Sequence, residues 1–204
     1  MPTRQAKLSA PPRQAQLRHS RQESRERIVV AATELVRHRS YAELSIGAVM
    51  ARAGFGRTIF YRHFDDLGDL LVRASRDAID QLYAAQRPLS EAGAEPAGDV
   101  VRTAAEQAVA VYRRHGPLLR AVVEAAASDP EVAAGHRSMR RQFDGLVENA
   151  LRERGTGLDD IAESARALNL LNEAYLLDAF GREPRVSDET AVQTLTEIWL
   201  GVVS

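Results

Sequence analysis

The sequence predicts an all-α protein. Apolar residues recur at helical spacing from Ile28 almost to the C-terminus, and no segment alternates apolar and polar residues as a half-buried strand does. Glycine and proline residues interrupt this spacing around residues 54–56 and over residues 87–98. These features predict about nine helices: an arm over residues 1–20 leads into a group of short helices over residues 21–66 and a larger helical body over residues 67–204.

The N-terminal part is expected to begin with an arm and then form two helices. Residues 1–20 include three prolines and no acidic residue, a composition that predicts a disordered basic arm. A first helix is expected from about Arg21 to Arg39, because one apolar stripe runs along it, formed by Ile28, Ala31, Ala32, Leu35 and Val36. Ser45 is expected to cap a second helix over residues 46–53.

The remaining helices follow from the same spacing. A short third helix is predicted over Thr58–His63, after a turn with two glycines, and Asp65 and Asp66 are expected to cap a long fourth helix through Leu82. Two prolines and two glycines over residues 87–98 predict a loop. Five further helices are expected near residues 99–114, 117–127, 130–154, 158–180 and 187–203.

The formal net charge of -1 hides a division along the chain. Residues 1–64 carry twelve Lys or Arg and four Glu, a net charge of +8, whereas residues 65–204 carry a net charge of -9. A strongly basic first third indicates that this part meets a polyanion and that the acidic remainder does not. Chance segregation of charge, with a solvated arm, is the alternative.

The segment RAGFGRTIFYRHF, residues 52–64, concentrates aromatic and basic residues. Phe60 and Phe64 are four residues apart and therefore share a helix face, which is expected to pack on Ile28, Leu35 and Val49. Four other side chains point outward and can reach phosphates and base edges: Arg57, Thr58, Tyr61 and Arg62. Two short helices joined by a glycine-containing turn, the second bearing such residues, are typical of a helix-turn-helix.

The series LSIGAVMARAGFGRTIFYRHFDDLGDLL, preceded by RIVVAATELV, resembles the DNA-binding region of the TetR family of bacterial transcriptional regulators. The resemblance implies an all-helical homodimer that binds a double-stranded DNA operator under the control of a ligand-binding domain. The residues expected at the DNA are Arg18, Arg21, Ser45, Arg57, Thr58, Tyr61, Arg62 and His63. Gly56, Ile59 and Leu67 stand where the family commonly has Ser, Thr and Lys, so affinity is expected to depend more on the arginines and the arm.

The segment ALNLLNEAYLLDAF, residues 167–180, is apolar on two sides of one helix. One side carries Ala167, Leu170, Leu171, Ala174 and Leu177. The other side, which also draws on the preceding turn, carries Ala165, Asn169, Asn172, Glu173, Leu176 and Phe180. The family resemblance implies that a partner subunit covers the first side, through a four-helix bundle of the last two helices of each chain, and that a ligand cavity lies on the other.

Two amides and a carboxylate on an otherwise apolar face need partners, because an unpaired buried polar group costs about 1 to 3 kcal/mol. They either bond to neighbouring groups or water, or they orient a ligand in an apolar pocket. Residues 167–186 and 195–203 resemble the branch of the TetR family that includes the mycobacterial regulators of ethionamide activation, which favours the ligand. This closer resemblance implies a small hydrophobic ligand among Tyr112, Phe143, Asn169, Asn172, Glu173, Leu176 and Trp199.

Some positions leave the ligand open. Val101, Ala108 and His136 stand where that branch has large aromatic residues, so the shape of the pocket is expected to differ. For Trp199, the only tryptophan, plain packing within the helical bundle is the alternative to a place in the pocket.

The sequence favours a regulator over an enzyme. Its five histidines have no partner at metal-ligand spacing, cysteine is absent, and neither a phosphate-binding glycine loop nor a strand-borne nucleophile occurs, so no cofactor is expected. Short apolar runs and the lack of a secretory signal predict a cytoplasmic protein without membrane contact. Two alternatives to a repressor that a ligand releases stay open: an activator or a regulator with no inducer, whose pocket is filled by side chains, and a helical ligand-sequestering or scaffolding protein without specific DNA binding.

Overall fold

The computed structural model describes residues 13–91 and 97–203. All regular structure in this part of the chain is helical, with eight α-helices and one 3-10 turn, Tyr41–Glu43. The α-helices are α1 (Arg13–Leu35), α2 (Ile46–Ala53), α3 (Arg57–Phe60), α4 (Leu67–Glu91), α5 (Ala97–Ala126), α6 (Pro130–Glu153), α7 (Ile161–Phe180) and α8 (Asp188–Val203). The all-α fold predicted from the sequence is confirmed.

The three N-terminal helices share a core with the body of the molecule. Phe60 and Phe64 are fully buried beside Ile28 and Val49, as predicted, with Leu35 packed against them. The same cluster is completed from outside the N-terminal helices by residues of α4, α5 and α6: Leu70, Leu71, Leu118, Ala121, Ala125 and Val132. The N-terminal helices therefore depend on the body for part of their hydrophobic contact.

The body is a bundle of α4 to α8 with two further apolar clusters. One lies toward the middle and includes Leu82, Tyr112, Phe143, Leu176 and Phe180. The other lies farther from the N-terminal helices and is formed by Leu89, Val100, Val101, Ala104, Val147, Ala150, Leu151, Ala165, Leu168 and Trp199.

Aspartate and serine caps fix where several helices begin. Asp66 Oδ1 accepts a hydrogen bond from the backbone N–H of Asp69 at 2.8 Å, as expected for the start of α4. Asp129 caps α6 and Asp160 caps α7 in the same way. Just after the Asp66 cap, Gly68 allows a close approach to α6, because a Cβ at this position would lie 2.7 Å from Asp129 Oδ2 and from Val132 Cγ2.

The arm predicted over residues 1–20 overlaps α1. Residues 1–12 lie outside the described residues, but residues 13–20 form the first turns of α1, which begins at Arg13 and not near Arg21. The segment from Arg13 to Leu17 consists of residues with high helix propensity, and this propensity extends the helix into the basic segment.

The third helix is shorter than predicted. α3 ends at Phe60, and Tyr61 to His63 form a turn in which the N–H groups of Arg62 and His63 bond to the carbonyls three residues before them. Such i→i+3 bonds tighten the last turn of a helix. The N–H of Phe64 still bonds to the Phe60 carbonyl, at 3.0 Å, so the two rings remain on one face.

The loop predicted over residues 87–98 is wrong at both ends. α4 continues through Pro88 to Glu91, and α5 begins at Ala97. Proline inside a helix costs about 3 kcal/mol. Leu89, one residue later, is buried in the cluster that contains Leu151 and Trp199, and this packing holds the last turns of α4 helical.

The two helices predicted over residues 99–114 and 117–127 are one continuous helix, α5, so the structure has one helix fewer than the nine expected within the residues it describes. Gly116 and Pro117 lie inside α5, although such a pair usually interrupts a helix. Gly116 is there for close packing, because a Cβ at this position would lie 2.2 Å from the carbonyl oxygen of Phe180 at the end of α7. The adjacent Leu118 and Leu119 are buried, which stabilises the helix beyond the proline.

Candidate DNA-binding surface and ligand cavity

The turn between α2 and α3 is set by one cap and one glycine. Ser45 Oγ accepts from the N–H of Ala48 at 3.1 Å and starts α2, as predicted. Gly54 ends α2 with φ +75°, a left-handed conformation that residues with a Cβ rarely adopt. This turn carries the chain directly into α3, whose buried Phe60 fixes its inner face.

The outer face of α3 and of the turn after it is polar and unpartnered. Arg57, Thr58, Tyr61 and Arg62 are exposed, and 60% of Tyr61 is accessible. Within the described residues, neither Arg57 nor Arg62 has an ion-pair partner. Two free guanidinium groups beside a tyrosine and a threonine can contact phosphates and base edges without first breaking internal bonds.

α1 stabilises this surface through hydrogen bonds from two of its arginines to backbone carbonyls. Arg21 Nη2 donates to the carbonyl of Arg62 at 3.1 Å, and Arg27 Nη2 donates to the carbonyl of Ala53 at 2.8 Å. The Arg27 guanidinium also lies 4.4 Å from the centroid of the Phe55 ring. The turn that bears Arg62 is therefore bound to α1 before any partner arrives.

The other predicted DNA residues differ in position. His63 is half-buried, and its Nε2 lies 2.9 Å from Ser24 Oγ on α1. Burial, with the charges of Arg21, Arg25 and Arg62, lowers the pKa of His63 and favours the neutral ring, which is a weak phosphate ligand. Arg18 falls in α1, and its side chain lies outside the described residues.

An internal cavity of about 290 Å³ lies between α4, α5, α6, α7 and α8. The seven residues expected at the ligand all lie along its wall: Tyr112, Phe143, Asn169, Asn172, Glu173, Leu176 and Trp199. Most of the remaining wall is aliphatic, including Ile79, Leu82, Val101 and Leu195. The volume is close to the roughly 300 Å³ at the lower end of small-molecule pockets.

The three polar residues singled out on α7 already have partners in the chain. Asn169 Nδ2 donates to Asp144 Oδ1 at 2.9 Å, and Trp199 Nε1 donates to Asn172 Oδ1 at 3.1 Å. Glu173 lies 2.7 Å from His136 Nε2 and 3.4 Å from Arg140 Nε. These bonds match the alternative in which the groups bond to neighbours, and each amide keeps a second polar atom for another partner.

Tyr112 brings a neutral hydroxyl to the same wall. Burial raises the pKa of its phenol above the ordinary value, and the charge of Glu173 adds to the shift. The phenol therefore stays protonated at neutral pH and can both donate and accept a hydrogen bond.

Comparison with known proteins decides the family. A family profile described as "Transcriptional regulator EthR, C-terminal domain" matches residues 101–203, about half of the chain, and one described as "Bacterial regulatory proteins, tetR family" matches residues 28–74. The chain belongs to the TetR family. It is a transcriptional regulator and not an enzyme.

Individual relatives of this TetR-family regulator cover most of its length. The regulator EthR of Mycobacterium tuberculosis (strain ATCC 25618 / H37Rv) is 28% identical over 180 residues, which make up 85% of this chain and 83% of EthR. EthR of Mycolicibacterium smegmatis is 28% identical over 182 residues, 86% of this chain and 84% of EthR.

Solved structures share the fold. PfmR, a TetR-family regulator from Thermus thermophilus, gives a TM-score of 0.70 at 18% identity, over 87% of this chain and 98% of PfmR. NalD, the secondary repressor of the MexAB-OprM multidrug efflux pump in Pseudomonas aeruginosa, gives 0.69 at 21% identity, over 89% of this chain and 98% of NalD. No helix within residues 13–91 and 97–203 of the TetR-family chain is long and apolar enough to cross a membrane.

Sequence reasoning missed the contribution of α4 to the cavity of this TetR-family regulator. Val72, Ser75, Ile79, Leu82 and Gln86 line the wall from α4, and Gln86 Oε1 is buried without a hydrogen-bond partner among the described residues. Tyr83, on the same helix, stacks on Phe143 with 4.1 Å between ring centroids. Val72, Ile79 and Leu82 are apolar residues at helical spacing within the predicted fourth helix, but this spacing does not specify which other helices its face meets.

Proposed function

We propose that this TetR-family chain is a repressor that a small, largely apolar ligand releases from DNA. Its homodimer binds a pseudo-palindromic operator, with the two α3 helices in successive major grooves about one helical turn apart. The ligand occupies the internal cavity and prefers a conformation in which the two readers, the helix-turn-helix units of α2 and α3, lie too far apart to enter both grooves. Such a protein acts in the cytoplasm, where the bacterial chromosome lies.

The observation that carries the proposal is that α4 belongs to both halves of the molecule. Its first turns place Leu70 and Leu71 in the core under α2 and α3, and its later turns line the cavity from Val72 to Leu89. A ligand that displaces the cavity wall must therefore move the helix on which the DNA reader rests. This geometry supports a regulator over a sequestering protein, and the open cavity argues against a pocket filled by side chains.

On DNA, the unpartnered arginines carry most of the proposed contact. Arg57, Thr58, Tyr61 and Arg62 read the major groove, Ser45 presents the start of α2 to a phosphate, and Arg18 with the N-terminal segment adds phosphate or minor-groove contacts. Arg21 and His63 have a supporting role, because their hydrogen bonds hold the turn after α3 against α1.

The homodimer forms through α7 and α8. Ala167, Leu171 and Ala174 on α7 are exposed at helical spacing, and Ile198 and Gly201 on α8 are exposed as well. Small residues beside single large aliphatic residues let two helix pairs approach closely in a four-helix bundle.

The net charge of -9 over residues 65–204 also keeps the body of the molecule away from the phosphates.

The proposed ligand is apolar over most of its length with one hydrogen-bonding group. Aliphatic and aromatic side chains form most of the wall, and the second polar atoms of Asn169 and Asn172, with the Tyr112 hydroxyl, are suited to one polar group on the ligand. Glu173 is already paired with His136 and Arg140, so this carboxylate is not free to bind a cationic ligand.

A mobility-shift titration on the duplex upstream of the chain's own gene tests the DNA contact. We expect the double variant Arg57→Ala/Arg62→Ala to lose about 1 to 3 kcal/mol of binding free energy per base-contacting arginine. The slope of log affinity against log salt should flatten by about 0.9 for each phosphate that the variant no longer neutralises. Arg102→Ala is the matched control, because Arg102 is exposed on α5 and pairs with Glu106. Equal binding by the double variant and the control would favour a ligand-sequestering protein.

Release is tested on the same complex with a series of straight-chain alcohols, 1-decanol to 1-tetradecanol. We expect the alcohols that raise the thermal midpoint of the free protein to dissociate the DNA at the same concentrations. An alcohol that binds the protein and leaves the DNA complex intact would contradict release by a ligand of this class.

A further inference from the structure

Arg120, on the last third of α5, bonds to three different elements. Its Nε donates to the carbonyl of Gly181 at the end of α7, at 2.7 Å, and its Nη2 donates to the carbonyl of Val36 just after α1, at 3.2 Å. Its Nη1 donates to Glu124 one turn later on α5. Only 11% of the side chain is exposed, so these bonds lie largely out of water.

Glu124 extends the same network to the 3-10 turn before α2. Its Oε2 accepts from the backbone N–H of Tyr41 at 2.7 Å, and its Oε1 lies 3.8 Å from the guanidinium of Arg182. Arg120 and Glu124 therefore bind backbone groups at two points within the connection between α1 and α2, the carbonyl of Val36 and the N–H of Tyr41. We call these two residues and the backbone groups of Val36, Tyr41 and Gly181 the α5 joint.

The same segment of α5 lines the cavity on another face. Leu119, Val122 and Val123 lie along the cavity wall and alternate in sequence with the joint residues. Leu118, Ala121 and Ala125 are buried in the core of the N-terminal helices. One helical segment of about two turns thus contacts the ligand space, the DNA-binding core and the joint.

The end of α7 packs closely against this segment of α5. The Cβ that Gly116 lacks would lie 2.2 Å from the Phe180 carbonyl oxygen, and a Cβ on Gly181 would lie 3.1 Å from Arg120 Cδ. Because α7 also carries Asn169, Asn172 and Glu173, two of the five helices that line the cavity, α5 and α7, meet at the same buried arginine.

We propose that Arg120 and Glu124 are positioning residues that couple the state of the cavity to the orientation of the DNA-binding helices. The inference rests on the proposed function, and it adds a route through α5, α1 and the 3-10 turn to the route through α4. A ligand that pushes on Val122 and Val123 shifts α5 relative to Val36 and Tyr41, and this shift disrupts the hydrogen bonds of the α5 joint.

Because hydrogen bonds depend strongly on geometry, the contacts of the α5 joint break together and not gradually when α5 shifts. A bond from a guanidinium to a carbonyl weakens steeply with misalignment, so a small shift of α5 disrupts several contacts together. A guanidinium that is largely buried cannot be left without acceptors, because the uncompensated charge is costly. The α1 end and the 3-10 turn therefore follow α5 or separate from it.

A double-mutant cycle on the full chain tests the coupling without a known ligand. Ala108→Phe fills part of the cavity, because Ala108 lies on its wall, and serves as a permanent guest. Affinity for the upstream duplex is measured by fluorescence anisotropy for the native chain, Ala108→Phe, Arg120→Met and the double variant. We expect Ala108→Phe to weaken binding by about 5-fold or more in the native background, the lower end of typical allosteric coupling, and by clearly less in the Arg120→Met background.

Arg113→Met is the matched control. Arg113 lies on the same helix and pairs with Asp188 of α8 at 3.5 Å, and within the described residues it has no hydrogen bond or ion pair to the N-terminal helices, so the full effect of Ala108→Phe should persist in this background. An equal effect of Ala108→Phe with and without Arg120 would overturn the joint and leave the proposed function standing. No effect of Ala108→Phe in the native background would overturn release through the cavity, and the joint with it.

A second measurement keeps Arg120 in place and covers the case in which Arg120→Met does not fold. Amide hydrogen exchange compares Tyr41, whose N–H bonds to Glu124, between the native chain and Ala108→Phe. We expect faster exchange at Tyr41 and no change at Phe55, whose N–H bonds to the Met50 carbonyl inside the helix-turn-helix. Weaker DNA binding with unchanged exchange at Tyr41 would show that the joint does not transmit the change.

Discussion

At the scale of single residues, arginines on the same basic surface have different tasks. Arg21 and Arg27 donate hydrogen bonds to the carbonyls of Arg62 and Ala53, which fixes the turn and the end of α2. Arg57 and Arg62 are exposed and unpaired within the described residues, so their guanidinium groups are free for DNA. Removing Arg21 and Arg27 should distort the helix-turn-helix. Removing Arg57 and Arg62 should leave its shape unchanged and weaken only the contact with DNA.

Trp199 allows the cavity to be observed directly. Its ring is buried at the cavity wall, and its Nε1 donates to Asn172, so a guest beside it changes both the polarity around the indole and its hydrogen bond. We expect the emission of the native chain to change on titration with 1-dodecanol, while N-acetyltryptophanamide with the same alcohol serves as the control. Binding detected by calorimetry without a change in emission would place the guest elsewhere.

His115 predicts a loss of stability in mild acid. Its Nε2 is buried without a hydrogen-bond partner among the described residues, and burial lowers its pKa below the ordinary 6.5, helped by Arg114 and Arg37 and opposed by Asp77. The unfolded chain then binds the proton more readily, so stability is complete above about pH 6.5 and declines as the pH falls below it. The free energy of unfolding in urea should fall as the pH is lowered through this value, and less so in His115→Gln. Part of the decline should remain, because the pKa of His63 is also lowered. An equal decline in both proteins would exclude His115.

At the scale of helices, α5 shows how packing overrides a local signal. The pair Gly116 and Pro117 predicts a break in the helix. However, Gly116 leaves room for α7 to approach, and burial of Leu118 and Leu119 stabilises the helix beyond the proline. We expect Gly116→Ala to destabilise the chain by about 1 to 3 kcal/mol, because the added methyl meets backbone atoms of Phe180 that cannot rotate away.

Gly145→Ala is the matched control for this prediction. Gly145 lies inside α6 with no atom within 4 Å of an added Cβ, so the substitution should stabilise the helix by about 0.5 to 1 kcal/mol. Urea unfolding of the two variants measures both values. Similar stability of the two would mean that the approach of α5 to α7 is not tight.

The sequence predicts best where one helix carries its own evidence. Phe60 and Phe64, the Ser45 cap and the polar face of α7 each depend on spacing within a few residues, and the structure has all three as expected. The cavity residues on α4 and the partners of Arg120 depend on which distant elements meet, and no local pattern specifies this. α4 and α5 are longer than predicted for the same reason, because tertiary packing opposes their turn residues, whereas α1 begins earlier because residues 13–17 have high helix propensity.

At the scale of the whole molecule, the division of charge orients the dimer on its operator. The first 64 residues carry +8 and the rest -9, so a duplex attracts one end of the molecule and repels the other. Under the proposed function each helix-turn-helix covers half of a pseudo-palindrome, so the proposed assembly through α7 and α8 should decide affinity more than any single contact.

A charge placed on the proposed dimer face tests this dependence. We expect Leu171→Glu to give a monomer in light scattering and to lose at least about tenfold in affinity for the upstream duplex, because a like charge meets its copy across a C2 axis. Ala162→Glu, on the opposite side of α7 and also exposed, should remain a dimer with native affinity. A Leu171→Glu dimer with full affinity would show that the subunits meet elsewhere.

Gly68 has a consequence for how this regulator opens. The first turn of α4 packs tightly against α6, because a Cβ at Gly68 would lie 2.7 Å from Asp129 Oδ2 and from Val132 Cγ2, whereas the following turns line the cavity from Val72 onward. If a ligand displaces the later turns of α4 while its first turn stays in place, the helix rotates about its N-terminal end. Under the proposed function, a ligand therefore changes the angle at which each subunit presents its helix-turn-helix, so two half-sites of correct sequence become misaligned while each helix-turn-helix keeps its own shape.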